Sequence, residues 1–268
     1  MYTQYWNLSE MPFENTPDPR FLYHSREHEE ALARLLYVVQ YGKGAAMLTG
    51  VFGCGKTLIA QVLMDELKRE RYKIAIINQP QLDYPELLRA IVRNLKTVEL
   101  PQKKTEISTD YLLEVLGQIL ETNVRDGKDN VIIIDEAHTI KDELVFEGLR
   151  LLLNFQLRER FLFTLLILGQ PELKQRIEDN KQLEQRIAIQ HHLSAFDFED
   201  TKKYIQHRLT VAGQDHPLFH EAAIRLIHDY SGGIPRRINS LCDICLLGGF
   251  AKQAKIVDEA IVLEEIKK

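Results

Sequence analysis

The chain has 268 residues, of which 45% are hydrophobic and 27% charged, a composition typical of a globular protein with one large domain or two. A formal net charge of -5 gives no overall attraction to nucleic acid or anionic lipid, so either contact would need a local patch. The apolar stretch 161–169 is too short to span a bilayer, and no basic residue precedes Arg20 to supply the cationic start of a signal peptide, so we expect none. We therefore expect a cytoplasmic protein without membrane insertion.

The three cysteines also favour a reducing compartment, because their number is odd and too small for a disulfide framework. Cys242 and Cys245 have half the spacing pattern of a zinc site, but no second pair exists. Both lie in the apolar segment INSLCDICLLGGF, so we expect them to pack in a core.

The first 25 residues are irregular in composition. Residues 11–25, MPFENTPDPRFLYHS, combine three prolines and several turn formers with aromatic residues. We expect residues 1–25 to form an extended segment, held to the rest of the protein by Phe13, Phe21 and Tyr23.

Helical and strand patterns then alternate as far as residue 195. The predicted helices are 26–41, 56–70, 84–96, 109–121 and 142–153. The predicted strands are 45–49, 73–78, a strand from 130, 161–168 and a short strand after Arg186. Short, almost wholly apolar strands between helices predict an α/β domain over 26–195, with a parallel sheet sandwiched by helices, as in doubly wound nucleotide-binding proteins.

Strand patterns stop near residue 196. The remaining predicted elements are the helices 198–211, 219–230, 235–252 and 258–267. The sequence therefore predicts a second, all-helical domain over 196–268.

The stretch GVFGCGKT, residues 50–57, follows the first strand and opens a helix, the context in which G-x-x-x-x-G-K-[ST] binds phosphate. Glycines let successive backbone N–H groups face a phosphate, and the helix directs the positive end of its dipole at it. Lys56 would neutralise the β- and γ-phosphates, and the Thr57 hydroxyl would bind Mg²⁺. The residues predicted to contact ATP here are Gly50, Gly53, Cys54, Gly55, Lys56, Thr57 and Leu58.

Cys54 within this loop has two interpretations. A helix N-terminus lowers a thiol pKa, which would suit a redox switch. Alternatively, the position needs a small side chain, which we favour because no resolving cysteine lies nearby in the sequence.

A second acidic motif follows a buried strand in VIIIDEAH, residues 131–138. Asp135 would anchor Mg²⁺ at the carboxyl end of the strand, where ligands of α/β proteins bind. Since strand side chains alternate, Glu136 would point elsewhere and polarise the attacking water. His138 completes the letters DEAH without other helicase motifs, so we interpret it as incidental.

Two polar residues lie at the ends of predicted strands. If strand 161–168 lies beside the Asp135 strand, the Gln170 amide comes close to the γ-phosphate or the attacking water. Asn78 could orient Glu136 in the same way. Both residues are also common turn formers, which leaves a purely structural role open.

Arginines occur at two unusual positions. Pro235 begins a helix, so Arg236 and Arg237 lie at the positive end of its dipole, where a bound phosphate would compensate them. The alternative is a surface arginine paired with a carboxylate. Arg186 could reach the γ-phosphate of a neighbouring subunit in a ring, with Arg176 as the second choice.

With these motifs, nearly the whole chain resembles the AAA+ ATPases, P-loop NTPases with a helical lid domain. More narrowly, PFENTPDPRFLYHSREHEEALARLLY and GLRLLLNFQLRERFLFTLLILGQPEL resemble general secretion pathway protein A (ExeA-type) ATPases. The resemblance implies that Lys56 and Thr57 bind nucleotide and Mg²⁺ and that Asp135 and Glu136 form the Walker B pair. It likewise implies that Gln170 is sensor 1, Arg186 an arginine finger and Arg236 sensor 2.

The resemblance also implies partners. The first hypothesis is a ring of identical subunits, six being one option, that assists assembly of a secretion or pilus apparatus. The second is a DNA transposition regulator of the TniB/TnsC type, a filament on DNA, which KRERYK at 68–73 and TKK at 201–203 permit without requiring. The third is a slow ATP-dependent switch or scaffold.

Overall fold

The structure of the protein is a computed structural model that describes residues 2–95, 108–157 and 160–268. These residues divide into two compact units. The helical unit comprises Met1–Glu29, Val51–Leu58 and Ser194–Lys268, and the sheet unit comprises Glu30–Gly50 and Ile59–Leu193.

The sheet unit is built on parallel strands, as the apolar runs predict. Among the described residues, the strands are β1 (Ala45–Gly50), β2 (Tyr72–Ile77), β3 (Asp129–Ile134), β4 (Gln156–Leu157), β5 (Arg160–Phe161), β6 (Phe163–Gly169) and β7 (Ile187–Leu193). Five of them form one parallel sheet in the order β2-β3-β6-β1-β7. Their carboxyl ends therefore lie at one edge, where functional groups of α/β proteins gather.

Both faces of the sheet are buried, which explains why the strands are apolar throughout. Met47, Ile132 and Ile167 belong to the core on one face, and their neighbours Leu48, Ile133 and Leu168 are equally buried on the other. The helices that lie wholly or largely in the sheet unit are α2 (Arg26–Gln40), α3 (Lys56–Glu66), α4 (Tyr84–Leu95), α5 (Thr109–Arg125), α6 (Glu143–Leu152), α7 (Glu172–Asp179) and α8 (Lys181–Glu184).

The helical unit has its own apolar core. Its helices are α1 (Tyr2–Tyr5), α9 (Phe198–Val211), α10 (Glu221–Ser231), α11 (Pro235–Ala251) and α12 (Glu259–Lys267). Cys242 and Cys245 are buried in this core, which confirms their predicted packing role. Burial raises the pKa of the Cys242 thiol well above its usual value and that of Cys245 to about 12, so both stay uncharged.

The N-terminal segment packs within the helical unit. Trp6 and Phe13 belong to its core, and the Trp6 indole N–H donates to the Leu246 carbonyl at 2.9 Å. Arg208 is buried and donates to the backbone carbonyls of Pro12 and Glu14. Residues 1–25 are not extended throughout, because Tyr2–Tyr5 is helical and Pro19–Phe21 forms a 3-10 turn.

Several predicted boundaries were wrong. The helix predicted over 56–70 ends at Glu66, since the chain must turn to enter β2 at Tyr72. The strand predicted over 161–168 is β6, while Phe161 belongs to the antiparallel β4–β5 pair. Helices α7 and α8 were not predicted, and Lys96, the end of the predicted helix 84–96, lies outside the described residues.

No helix of the described residues has both the length and the apolar character needed to cross a membrane.

Two glycines that precede α11 provide a test of this turn. Gly233 has φ +69° and hydrogen-bonds through its carbonyl to the Phe196 N–H at 2.9 Å, and a Cβ there would overlap the Phe196 carbonyl oxygen. Gly232 has φ +63° but nothing within 4 Å of its Cβ position. We expect Gly232→Ala to cost about 1 kcal/mol of unfolding free energy and Gly233→Ala about 3 kcal/mol or more.

Denaturant unfolding of both variants measures this difference. Equal losses for the two substitutions would show that backbone conformation alone, and not the contact with Phe196, constrains the turn.

Candidate active site

The loop after β1 has the backbone shape of an anion cradle. Gly50 is the last residue of β1 and Lys56 the first of α3. Between them, Gly53 and Gly55 have φ values of +83° and +106°, which other residues rarely adopt. Such a turn directs backbone N–H groups inward at the positive end of a helix dipole.

Lys56 has the position expected of a phosphate-binding lysine. Lys56 is only 5% exposed, and its ammonium group donates to the Val51 carbonyl at 3.1 Å. The side chain therefore folds back over the loop from the start of α3. Thr57 and Leu58 follow in the first turn of α3, and both are half-buried.

The first turn of α11 packs directly on this loop. The Arg236 N–H donates to the Gly53 carbonyl at 3.2 Å, and a Cβ at Gly53 would lie 2.6 Å from the Arg236 Cβ. The Arg236 guanidinium stacks 4.7 Å from the centre of the Phe52 ring. Phe52 thus provides a cation-π partner for Arg236.

Arg236 and Arg237 are exposed at the helix N-terminus, as predicted. Within the described residues, no carboxylate forms an ion pair with either side chain. The alternative of a carboxylate-paired surface arginine is therefore not observed there.

His28 supports the loop from α2, and sequence analysis missed it. Its ring is buried, with Nε2 3.0 Å from the Cys54 carbonyl and Nδ1 2.8 Å from the Ser25 hydroxyl. A neutral ring with the proton on Nε2 satisfies both contacts, because it donates to the carbonyl and accepts from the hydroxyl. No local motif marks His28, since 26 residues separate it from Cys54.

The environment of His28 keeps it neutral. Burial lowers its pKa from 6.5 to about 4, and the hydrogen bond to Cys54 and the charge of Asp200 only partly oppose this effect. Electrostatic repulsion from the nearby His24 ring lowers the pKa of His28 further. The loop is therefore held by an uncharged donor near neutral pH.

Cys54 is fully buried within the loop. Its backbone carbonyl, not its thiol, makes the contact with His28. Burial supports the interpretation that this position needs a small side chain, because a redox-active thiol must be accessible.

The acidic pair follows β3 at the carboxyl edge of the sheet. Asp135 is 2% exposed, its N–H donates to the Ile77 carbonyl at 2.9 Å, and its carboxylate accepts from the Glu136 N–H at 2.8 Å. Glu136 is more accessible, with 34% of its side chain exposed. The buried carboxylate suits ion binding, and the accessible one suits contact with water.

The sequence analysis attributed the different directions of the Asp135 and Glu136 side chains to alternation along a strand, and this reason was wrong. Strand β3 ends at Ile134, and Glu136 has a left-handed backbone with φ 53° and ψ 32°. Side-chain alternation along a strand therefore does not orient Glu136. The left-handed turn does, and it begins the 3-10 turn Ala137–Thr139.

His138, interpreted from the sequence as incidental, contacts two of the predicted site residues. Its Nε2 lies 2.9 Å from the Gln170 side-chain nitrogen, and its Nδ1 lies 3.4 Å from a Glu136 carboxylate oxygen. β3 and β6 are neighbours, which meets the condition stated for Gln170, so Gln170 follows a strand beside that of Asp135. His138 thus contacts both polar residues proposed to act on water.

Asn78 follows β2 and is exposed. No hydrogen bond joins it to Glu136 in the described part of the chain.

Both candidate trans-acting arginines make contacts within their own sheet unit. Arg186 donates to the Leu153 carbonyl at 3.3 Å and to the Asn154 side-chain oxygen at 3.0 Å, at the end of α6. Arg176 pairs with Glu143 and donates to the His138 carbonyl. Arg186 makes fewer kinds of internal contact than Arg176, because Arg176 also lies over the Phe146 ring.

The two residues predicted to hold a metal, Thr57 and Asp135, both offer oxygen atoms as ligands. Over residues 2–95, 108–157 and 160–268, no group of three or more His, Cys, Asp or Glu could hold an ion by itself. A cation there would need further oxygens, such as those of phosphates and water, as Mg²⁺ commonly takes.

Comparisons with known proteins agree with this geometry. Residues 39–177 match the model of a protein family described as AAA domain. General secretion pathway protein A of Aeromonas hydrophila is 40% identical over 266 residues. The match covers 98% of this chain but 48% of that relative, so the chain spans about half of its length.

Solved structures share the fold at low identity. The ORC2 protein of Aeropyrum pernix superposes with a TM-score of 0.72 and 19% identity over 97% of this chain and 72% of that one. The ORC1 protein of the same organism, solved in complex with DNA, superposes with a TM-score of 0.68 and 16% identity. That match covers 95% of this chain and 68% of the ORC1 chain. These similarities concern the fold alone.

The pKa of His28 predicts a pH-dependent stability. Because the folded pKa of about 4 lies below the unfolded value of 6.5, the unfolded chain binds more protons between these limits. We expect the unfolding free energy to fall by up to about 3 kcal/mol as pH decreases from 6.5 to 4.

His28→Gln keeps an N–H donor but does not titrate, so its unfolding free energy should fall less over this range. His216→Gln, at an exposed position, is the matched control and should follow the wild type. Denaturant titrations at several pH values give the comparison, and identical profiles for wild type and His28→Gln would contradict the assignment.

Proposed function

The chain belongs to the AAA family of ATPases, and from this premise we propose that it is a Mg²⁺-dependent enzyme that hydrolyses ATP as an oligomer. In this proposal its turnover assists the assembly of a secretion or pilus-type apparatus. The observation that carries the proposal is the phosphate loop between β1 and α3, in which two left-handed glycines precede a buried, folded-back lysine.

The loop supports binding of a triphosphate. Its N–H groups and the dipole of α3 favour negative charge, and Lys56 adds a full positive charge. We propose that Gly50, Gly53, Cys54, Gly55 and Leu58 contact nucleotide together with Lys56 and Thr57. Arg236, whose backbone already bonds to Gly53, would contribute a further cation.

The donor set at Thr57 and Asp135 fits Mg²⁺. A hydroxyl and a buried carboxylate are hard oxygen ligands, and Mg²⁺ usually takes only one or two such protein ligands beside phosphate oxygens and water. When bound, the ion neutralises charge on the phosphates.

The chemical step follows from the accessible carboxylate. We propose that Glu136 accepts the proton of the water that attacks the γ-phosphorus, as the bond to the leaving ADP oxygen breaks. The Gln170 amide, at the end of the adjacent strand, would hydrogen-bond to the γ-phosphate or the water.

Oligomerisation is proposed because a cation in trans would complete the charge balance of the transition state. Arg186 is the candidate. Its present bonds to Leu153 and Asn154 are peripheral and partly exposed, so a neighbouring subunit could replace them.

The secretion role is supported by the similarity to general secretion pathway protein A, because 98% of this chain aligns with that relative. Because the chain spans about half of that relative, the activity of the whole relative transfers only as a proposal.

The two basic stretches do not favour the DNA-bound alternative. In 68–73, Arg71 pairs with Asp129 at 3.3 Å, and in 201–203, Lys202 pairs with Glu221 at 3.0 Å. Such pairing reduces the positive charge available to a phosphate backbone, on which DNA affinity depends.

We expect Lys56→Ala to lose ATP binding in calorimetry and Glu136→Gln to bind ATP while its turnover falls about a hundredfold or more. Lys174→Ala, a surface lysine of α7, is the control and should leave both unchanged. ATP binding by Lys56→Ala as tight as that of the wild type would overturn the nucleotide assignment. Turnover that rises strongly with duplex DNA and falls steeply with salt would favour the transposition-regulator alternative.

Mixing inactive subunits tests the shared site. If Arg186 acts in trans, equal amounts of Glu136→Gln and Arg186→Ala subunits should recover about a quarter of wild-type activity, since a quarter of the interfaces are then intact. Asn154→Ala removes the same internal contact but keeps the arginine, so it should remain active. A mixture as inactive as its components would argue against Arg186 acting between subunits.

A further inference from the structure

His138 joins two groups proposed to act on the attacking water. Its ring is mostly buried, with 15% of the side chain exposed, and lies between the Glu136 carboxylate and the Gln170 amide. The two contacts use different ring nitrogens, Nδ1 toward Glu136 and Nε2 toward Gln170.

The backbone fixes the ring in this place. The Thr139 hydroxyl and N–H both donate to the Glu136 carbonyl, at 2.8 and 2.9 Å, which closes the turn that contains His138. Arg176 donates to the His138 carbonyl at 3.3 Å.

Gly169 permits the close approach from the β6 side. A Cβ there would lie 3.2 Å from the His138 backbone nitrogen and 2.7 Å from a Leu173 methyl carbon. The position of the ring therefore depends on both strand ends.

One ring proton decides both contacts. For the Gln170 side-chain NH₂ to donate across 2.9 Å, Nε2 must carry no proton. The proton of the neutral ring is then on Nδ1, where it is attracted to the Glu136 carboxylate at 3.4 Å but is set against the Gln170 backbone N–H, also a donor, at 3.3 Å.

The opposite tautomer gives a different pair of contacts. With the Gln170 amide reversed, Nε2–H donates to its oxygen, and the Nδ1 lone pair faces the Gln170 backbone N–H at 3.3 Å. That lone pair also faces the Glu136 carboxylate, which is repulsive. The orientation of the Gln170 amide therefore decides whether His138 attracts or repels the Glu136 carboxylate. The net charge of the ring is the same in both arrangements.

We propose that His138 is a positioning residue for ATP hydrolysis, which couples the orientation of the Gln170 amide to that of the Glu136 carboxylate. The inference rests on the proposed function, because Glu136 and Gln170 act on water only if the protein hydrolyses ATP. It assigns to His138 an effect on turnover rather than on nucleotide affinity.

The test compares His138→Ala, Gln170→Ala and the double variant in steady-state ATP hydrolysis. We expect His138→Ala to lower kcat about tenfold to a hundredfold while KM changes less than about threefold. Because the two residues act as a unit, the double variant should be scarcely slower than His138→Ala alone. His216→Ala, at an exposed position, is the control and should retain wild-type kcat.

His138→Asn and His138→Gln resolve the two contacts and serve if the alanine variant does not fold. Asparagine places a donor near Nδ1 and glutamine places one near Nε2, so each should recover part of kcat, with asparagine recovering more because it keeps the contact to Glu136. Recovery by neither variant, with thermal stability intact, would count against the hydrogen-bonding role.

The outcomes separate the inference from the proposed function. A wild-type protein without ATP hydrolysis overturns the proposed function. A wild type that hydrolyses ATP, with a His138→Ala variant whose kcat stays within about twofold, overturns the inference alone. Effects of His138→Ala and Gln170→Ala that simply multiply in the double variant overturn the coupling.

Discussion

The parallel pairing of β1, β3 and β6 is the constraint on which the candidate site depends. β6 lies between the other two, with Ile134 opposite Ile167 and Thr49 opposite Gly169. The registers bring the ends of all three strands to one edge of the sheet, although Gly50, Asp135 and Gln170 are far apart in sequence. Burial of both faces fixes these registers, because a shift by one residue would invert the side chains of the whole strand.

The phosphate loop is held by groups that belong to the same helical unit. His28 bonds to the Cys54 carbonyl, and the backbone of Arg236 bonds to the neighbouring Gly53 carbonyl. Both partners contact backbone carbonyl oxygens, so neither occupies an N–H group of the loop. The shape of the loop therefore depends on the folding of the helical unit as well as on its own glycines.

Groups around Glu136 form a second set that is positioned by a turn and not by a strand. The left-handed conformation of Glu136 costs of the order of 1–3 kcal/mol, and the hydrogen bonds of Thr139 and the packing of Arg176 maintain it. Strain of this kind is common where a side chain must be aimed away from the regular path of the chain. The same turn brings His138 to Gln170, so one local feature orders three polar side chains.

The sequence by itself determined the class of fold and the principal motif residues. Apolar runs between amphipathic helices were enough to predict a parallel sheet, and the spacing of Gly50, Gly55 and Lys56 was enough to predict a phosphate loop. These features are encoded locally, in the period of the side chains and the backbone freedom of glycine. The adjacency of β3 and β6, on which the role of Gln170 depends, was a condition that the sequence left open and the structure supplied.

Only the tertiary structure decided which other residues surround these motifs. His28 lies 26 positions from its partner and His138 lies 32 from Gln170, and neither spacing has a period that a sequence pattern could reveal. The same holds for Arg186, whose contacts with Leu153 and Asn154 depend on where α6 ends. Such pairs are set by the packing of whole helices and strands, since a hydrogen bond depends on separations of a few ångströms that the linear order of residues does not specify.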